Sequence, residues 1–166
     1  RLKDGTLGYL TKRIDRSADG DKIPMEDMCQ LTERQTEYKY KSSYEQIAKV
    51  IAKYSYVPLL DLTDFYEQVF FSWLVGNNDM HLKNFSLYAP KGKWGLTPAY
   101  DLLNVALVNT KDDEELALTL NARKKRIKKA DSLKAMEPSG IAPKVFENMV
   151  AKYQKLLPKF NEAIDM

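Results

Sequence analysis

Gly76-Asn77-Asn78-Asp79-Met80-His81-Leu82-Lys83-Asn84 is a polar interruption in regular sequence, and its reading decides the rest. Ahead of it, Leu62, Phe65, Tyr66, Val69, Phe70, Trp73 and Leu74 recur at three- and four-residue spacing. That periodicity puts them on one face of a helix and predicts that they are core. Asp61 or Thr63 is the expected N-cap, and Gly76 the expected left-handed residue after the last turn. Behind the interruption, Phe85-Ser86-Leu87-Tyr88 and Trp94-Gly95-Leu96-Thr97 flank the breaker-rich Ala89-Pro90-Lys91-Gly92-Lys93, a hairpin signal. The stretch is therefore a loop held between two ordered elements, where functional side chains concentrate. A hairpin returns the chain to its start. Asn84, which enters it, and Asp101, which leaves it after Pro98, are expected side by side.

Asp79, four residues, Asn84, and then Asp101 seventeen residues later is a layout with chemical content. Phosphoryl transfer asks a protein mainly to position groups and neutralise charge. One carboxylate accepts or orients the acceptor hydroxyl, and oxygen ligands hold the magnesium that bridges the phosphates of ATP. Asp79 suits the first role, Asn84 and Asp101 the second, and Lys83 is placed to meet the transferred phosphate as a point charge. The same residues also have a structural reading: Asn78 and Asp79 as turn formers, Asn84 capping the hairpin, Asp101 capping a helix from Leu102. Spacing alone does not choose between them. His81, the single histidine, cannot make a zinc site by itself and is read as loop scaffold.

Outward from the loop the chain is ordinary. Its 166 residues suffice for one domain over 1–166, and 44% hydrophobic with 30% charged residues is a globular composition. No apolar run reaches membrane-spanning length. The one cysteine, Cys29, excludes an internal disulfide framework; it is expected to be buried and inert, and a reducing cytoplasm fits it. Residues 6–14 alternate like a strand, and Asp15 to Lys22 reads as a turn. From Pro24 the spacing of Met25, Met28, Cys29 and Thr32 predicts a helix with Glu26 and Asp27 in its first turn. Ser43, with Gln46 three residues on, marks the N-terminus of a second helix, and Pro58 closes the linker after it. Beyond Asp101, residues 105–108 are short and apolar, Lys111 to Glu114 separate them from the next element, and Glu115–Leu120 alternates like a strand. Asp131 is the expected cap of another helix, and Pro143 the first residue of one whose apolar face is Phe146, Met149, Val150, Tyr153, Leu156 and Leu157. The basic run 123–129 lacks interleaved aromatics and reads as a solvated face. The expected fold is mostly α with short β hairpins, an α+β domain around one polar loop.

The stretch from Trp73 to Ser86 resembles the HipA family of bacterial serine/threonine kinases, the toxins of toxin–antitoxin pairs. The likeness continues through Leu96-Thr97-Pro98-Ala99-Tyr100-Asp101-Leu102-Leu103, and reaches Tyr9 to Arg16, Glu26 to Gln30 and Leu116 to Asn121. These blocks spread over about two thirds of the chain. The resemblance implies a kinase C-lobe with Asp79 as catalytic aspartate, Asn84 and Asp101 holding Mg2+, and His81 and Lys83 lining the loop. It also makes residues 1–16 the interlobe hinge strand, where backbone groups of Lys12, Arg13 and Ile14 receive the adenine of ATP. The family tends to have an acidic residue and an aromatic where this chain has Lys12 and Ile14, which weakens stacking but spares backbone bonding.

A kinase also needs a small lobe with a phosphate-gripping lysine, and only about eleven residues precede the hinge here. The expectation is an isolated C-terminal lobe that transfers little phosphate unaided. The resemblance further implies a protein substrate, with aminoacyl-tRNA synthetases among family targets, and a DNA-binding antitoxin of HipB type as partner. No direct nucleic-acid or membrane contact is expected. The competing reading is a degenerate lobe kept as a protein-binding module.

Overall fold

The computed structural model describes residues 2–8, 10–109 and 112–164, with side chains as far as Leu156. Tyr9, Lys111 and the side chain of Leu157 lie outside the described residues. The expected strand over 6–14 does not form: the described residues there have no regular structure, and Leu10 is 96% exposed. Alternation makes a strand only beside a partner that takes its N–H and C=O groups, and the described residues supply none. The turn that follows is closed by one bridge, Arg16 to Lys22.

Met25–Asp27 is a strand, β1, where periodicity predicted helix. It is captured by pairing antiparallel with Ser86–Tyr88. The helix begins only afterwards, as α1 (Met28–Leu31). Asp27 is its N-cap rather than part of its first turn: the carboxylate accepts the Gln30 N–H at 3.0 Å and the Gln30 side chain accepts the Asp27 N–H at 2.9 Å. The helix α2 (Tyr44–Tyr54) starts where Ser43 predicted, the serine oxygen accepting the Gln46 N–H at 3.2 Å. Its buried face is Tyr44, Ile47, Ala48 and Ile51.

The long helix α3 (Pro58–Leu74) starts at Pro58, not at an Asp61 or Thr63 cap. Proline suits a first helical position because its missing N–H would have no partner there. Asp61 instead lies buried in the first turn. Its carboxylate accepts the Ser55 hydroxyl at 2.6 Å and the Leu96 N–H at 2.8 Å, tying α2, α3 and the hairpin together. Gly76 ends the helix at φ +71°, as expected. The hairpin is β2 (Ser86–Tyr88) and β3 (Gly95–Leu96), giving an antiparallel sheet in the order β1-β2-β3.

The expected strand over Glu115–Leu120 does not form. Leu116, Leu118 and Leu120 are buried as alternation foresees, but Ala117 is buried too, and the pairing along the segment is limited to isolated bridges (Ser43 to Thr119, Leu120 to Arg123). The helix α4 (Lys129–Met136) begins before Asp131, which caps from inside: its carboxylate accepts the Lys128 N–H at 2.9 Å. Pro143 opens α5 (Pro143–Ile164), which packs Phe146 and Tyr153 on Phe70 at centroid distances of 5.2 and 5.7 Å.

The centre of the core is aromatic. Tyr44 and Phe65 each meet Phe85, at 6.1 and 5.1 Å, directly beneath the polar loop. Cys29 is buried and burial pushes its thiol up, as an inert cysteine requires. In the basic run, Lys124 and Lys125 pair with Glu114 and Asp113, and Arg123 lies 3.5 Å from Asp131. Among the described residues no helix is long and apolar enough to cross a membrane.

Candidate catalytic loop

Anchors beneath the loop decide which way its side chains face. Met80 and Leu82 are fully buried; the Met80 carbonyl accepts the Tyr44 hydroxyl at 3.0 Å and the Leu82 N–H donates to the Lys39 carbonyl at 3.2 Å. Asn77 is buried at the loop's start. Its amide donates to the Asp101 carbonyl at 3.1 Å, and its side-chain oxygen faces the Asp79 N–H at 3.4 Å. Asn78 reaches the other way and donates to the Glu114 carbonyl at 3.0 Å. With 77, 78, 80 and 82 pinned inward, Asp79 is half-buried at the rim.

Asn84 and Asp101 meet as the hairpin predicts. The Asn84 Nδ2 donates to Asp101 Oδ2 at 2.5 Å, and its Oδ1 accepts the His81 N–H at 3.1 Å. Asp101 is exposed and held at φ +57°, a left-handed conformation that aspartate tolerates better than most residues. Two contacts fix it there: Asn77 on its carbonyl, and the neighbouring Tyr100, whose hydroxyl donates to the Lys83 carbonyl at 2.8 Å and lies 2.7 Å from the Ser86 hydroxyl. Burial pushes the Tyr100 phenol up to about 12.

Lys83 points at β1, its Nζ 2.6 Å from Asp27 Oδ2, and that bond holds its ammonium above its ordinary value. Its charge is matched rather than free. His81 is 6% exposed; burial first, then the nearby Lys39 charge, keep the imidazole below its ordinary value and hence neutral at pH 7. The Tyr40 ring meets it edge-on at 5.0 Å, and the Tyr40 hydroxyl donates to Asp79 Oδ1 at 2.6 Å.

Thus Asp79, His81, Lys83, Asn84 and Asp101 share one locus. Lys12, Arg13 and Ile14 do not join it: among the described residues no hydrogen bond links their side chains to the loop. Arg13 instead forks onto Asp15 at 2.8 and 2.6 Å, and the Asp15 carboxyl is held down at about 2 by that bond. Sequence reasoning missed Tyr40, Asn77, Asp27 and Tyr100 as parts of the site. Tyr40 lies in a polar connection without periodicity, and Asp27 and Tyr100 act through partners 56 and 14 or more residues away, so spacing carried no signal for them.

The donor set fits magnesium. Asp101 offers a carboxylate, and the Asn84 oxygen keeps a second lone pair after accepting the His81 N–H; both are hard oxygen donors. No group of three His, Cys, Asp or Glu able to hold a metal occurs among the described residues. Such a pair suits an ion that takes its remaining ligands from phosphates and water rather than a self-sufficient metal cage.

A helical domain with a small antiparallel sheet, carrying Asp79 and Asn84 on the loop between α3 and the hairpin and Asp101 at the hairpin's exit, has the α+β architecture of a HipA-type kinase C-lobe. Residues 1–159 match the HipA-like C-terminal domain, and the chain belongs to that family. Curated relatives include "Putative kinase Y4dM" of Sinorhizobium fredii, 35% identical over 69% of this chain and 27% of the relative. A "Putative kinase" of Haemophilus influenzae is 40% identical over 39% of this chain and 19% of the relative. The chain therefore spans about a quarter or less of the length of these relatives. Among solved structures, a chain from the HipA, HipB and operator DNA complex of the Shewanella oneidensis MR-1 toxin–antitoxin system matches 89% of this chain and 39% of its own length. Its TM-score is 0.77 at 20% identity, which establishes the fold.

Proposed function

We propose that this chain supplies the proton acceptor and metal ligands of an ATP-dependent serine/threonine protein kinase. The observation that supports this most is the 2.5 Å contact between Asn84 and Asp101, brought together by the hairpin and tied through Asn77 to the backbone of Asp79. As the acceptor oxygen bonds to the γ-phosphorus and the bond to the bridging oxygen of ADP breaks, Asp79 takes the acceptor's proton. Asn84 and Asp101 would hold magnesium, which when bound neutralises charge on the phosphates. Asn77 and Tyr100 keep Asp101 in register. Lys83 braces the loop against β1 through Asp27, and His81 is loop scaffold. Backbone groups of Lys12, Arg13 and Ile14 would take the adenine edge, since the Arg13 side chain is committed to Asp15.

By likeness to the family, the phosphate acceptor is a protein serine or threonine, with an aminoacyl-tRNA synthetase as one class of target. The Shewanella complex makes an antitoxin of HipB type the natural partner to test. The decisive experiment is transfer of labelled γ-phosphate by the full protein that carries this chain, using MgATP with and without candidate protein substrates. Asp79→Asn should lower transfer by roughly 100-fold or more, and Asp101→Asn should raise the magnesium concentration needed. Wild-type rates in Asp79→Asn would refute the assignment.

A further inference from the structure

Tyr40 is the one side chain whose hydrogen bond reaches the Asp79 carboxylate among the described residues, and it does so across 39 positions of sequence. Three observations make the contact a built one. The Tyr40 ring stands edge-on against the buried His81, at 5.0 Å with an interplanar angle of 75°. The adjacent Lys39 carbonyl accepts the Leu82 N–H, so the backbone before Tyr40 is tied to the loop that carries Asp79. The hydroxyl of Tyr44, four residues on, fixes the carbonyl of Met80, next to Asp79. The 39–44 segment thus grips the loop at Met80 and Leu82, just after the carboxylate.

We propose that Tyr40 is a positioning residue for Asp79: its phenol anchors one carboxylate oxygen and leaves the other to take the acceptor's proton. The inference rests on the reading of Asp79 as proton acceptor. A carboxylate at a loop rim turns about two torsions, and a donor at 2.6 Å selects one orientation. Tyr40 is 42% exposed, and the partial burial of its phenol together with the bond to Asp79 pushes it up to about 12. It therefore stays a donor at physiological pH and cannot itself exchange protons with substrate there. His81 acquires a concrete role, because its neutral ring is the wall against which Tyr40 stands.

The test uses the full protein carrying this chain, labelled at Cζ of its tyrosines for NMR, with phosphate transfer from MgATP as the kinetic readout. Three proteins are compared with wild type: Tyr40→Phe, which keeps the ring on His81; Tyr40→Leu, which removes it; and Asp79→Asn. Tyr40→Phe should lower kcat about tenfold with KM for ATP unchanged, the size expected for one hydrogen bond to a charged group. Tyr40→Leu should lower it further. In Asp79→Asn the Tyr40 phenol resonance should titrate closer to the ordinary tyrosine value. If Asp79→Asn is inactive while Tyr40→Phe keeps wild-type kcat, or if the Tyr40 resonance ignores Asp79→Asn, the positioning role is overturned and the kinase reading survives. If Asp79→Asn keeps wild-type activity, the kinase reading fails and takes this proposal with it.

Discussion

Tyr44→Phe removes one oxygen atom from the centre of the core and leaves the ring where it is. The ring is fully buried between Phe65 and Phe85, at 6.3 and 6.1 Å, and phenylalanine preserves those contacts. What disappears is the hydroxyl that donates to the Met80 carbonyl at 3.0 Å; among the described residues no other donor reaches that carbonyl. Losing the bond and stranding a buried acceptor costs about 1–3 kcal/mol. For a chain of this size each kcal/mol lowers Tm by roughly 2–4 °C. The assay is thermal and denaturant unfolding of wild type, Tyr44→Phe and Tyr66→Phe. Tyr66 is the control: its hydroxyl donates to the Ala135 carbonyl at 2.6 Å, away from the loop. Both variants should lose comparable stability. Only Tyr44→Phe should speed hydrogen exchange across residues 79–84 and lower phosphate transfer, because Met80 sits between Asp79 and His81. A stability loss under about 0.5 kcal/mol would mean that water replaces the hydroxyl at Met80. The loop would then not be anchored from below, and the reasoning would fail.

Gly76→Ala forces a left-handed residue with a side chain, costing about 1–2 kcal/mol from the backbone alone. Its Cβ would also stand 3.0 Å from that of Ala106. Gly92→Ala, at φ +72° with nothing within 4 Å, should show the backbone part only, so equal denaturation midpoints for the two would refute the packing argument. For Lys83 and Asp27, 2.6 Å apart and partly exposed, a double-mutant cycle should give a coupling of up to about 1 kcal/mol that shrinks with added salt; a salt-independent coupling would exclude an ion pair. The Asp131 carboxyl is held below its ordinary value by the Asn121 amide, then by the Lys128 N–H and Arg123. A depressed carboxyl contributes stability above its unfolded pKa and loses it as pH falls through the folded one. The stability gap between wild type and Asp131→Asn should therefore be widest near neutral pH and narrow below about pH 4. A gap constant from pH 7 to pH 3 would contradict this.

What was legible in the sequence was what a short window encodes. The three-four periodicity of Leu62 to Leu74 specifies α3, Ser43 with Gln46 the start of α2, Pro143 the start of α5, and Gly76 the left-handed exit into the loop. Even the meeting of Asn84 with Asp101 followed locally, because a hairpin has to return. Tertiary structure decided the rest, since a strand exists only where a neighbour accepts its hydrogen bonds. Met25–Asp27, whose spacing is helical, became β1 because β2 lies beside it, while 115–120 and the described residues of 6–14, with strand-like alternation, found no ladder. The same holds for the site's supports. Tyr40 reaches Asp79 across 39 residues and Lys83 reaches Asp27 across 56. Those contacts arise from how the aromatic core seats the loop, and no local pattern of residues encodes them.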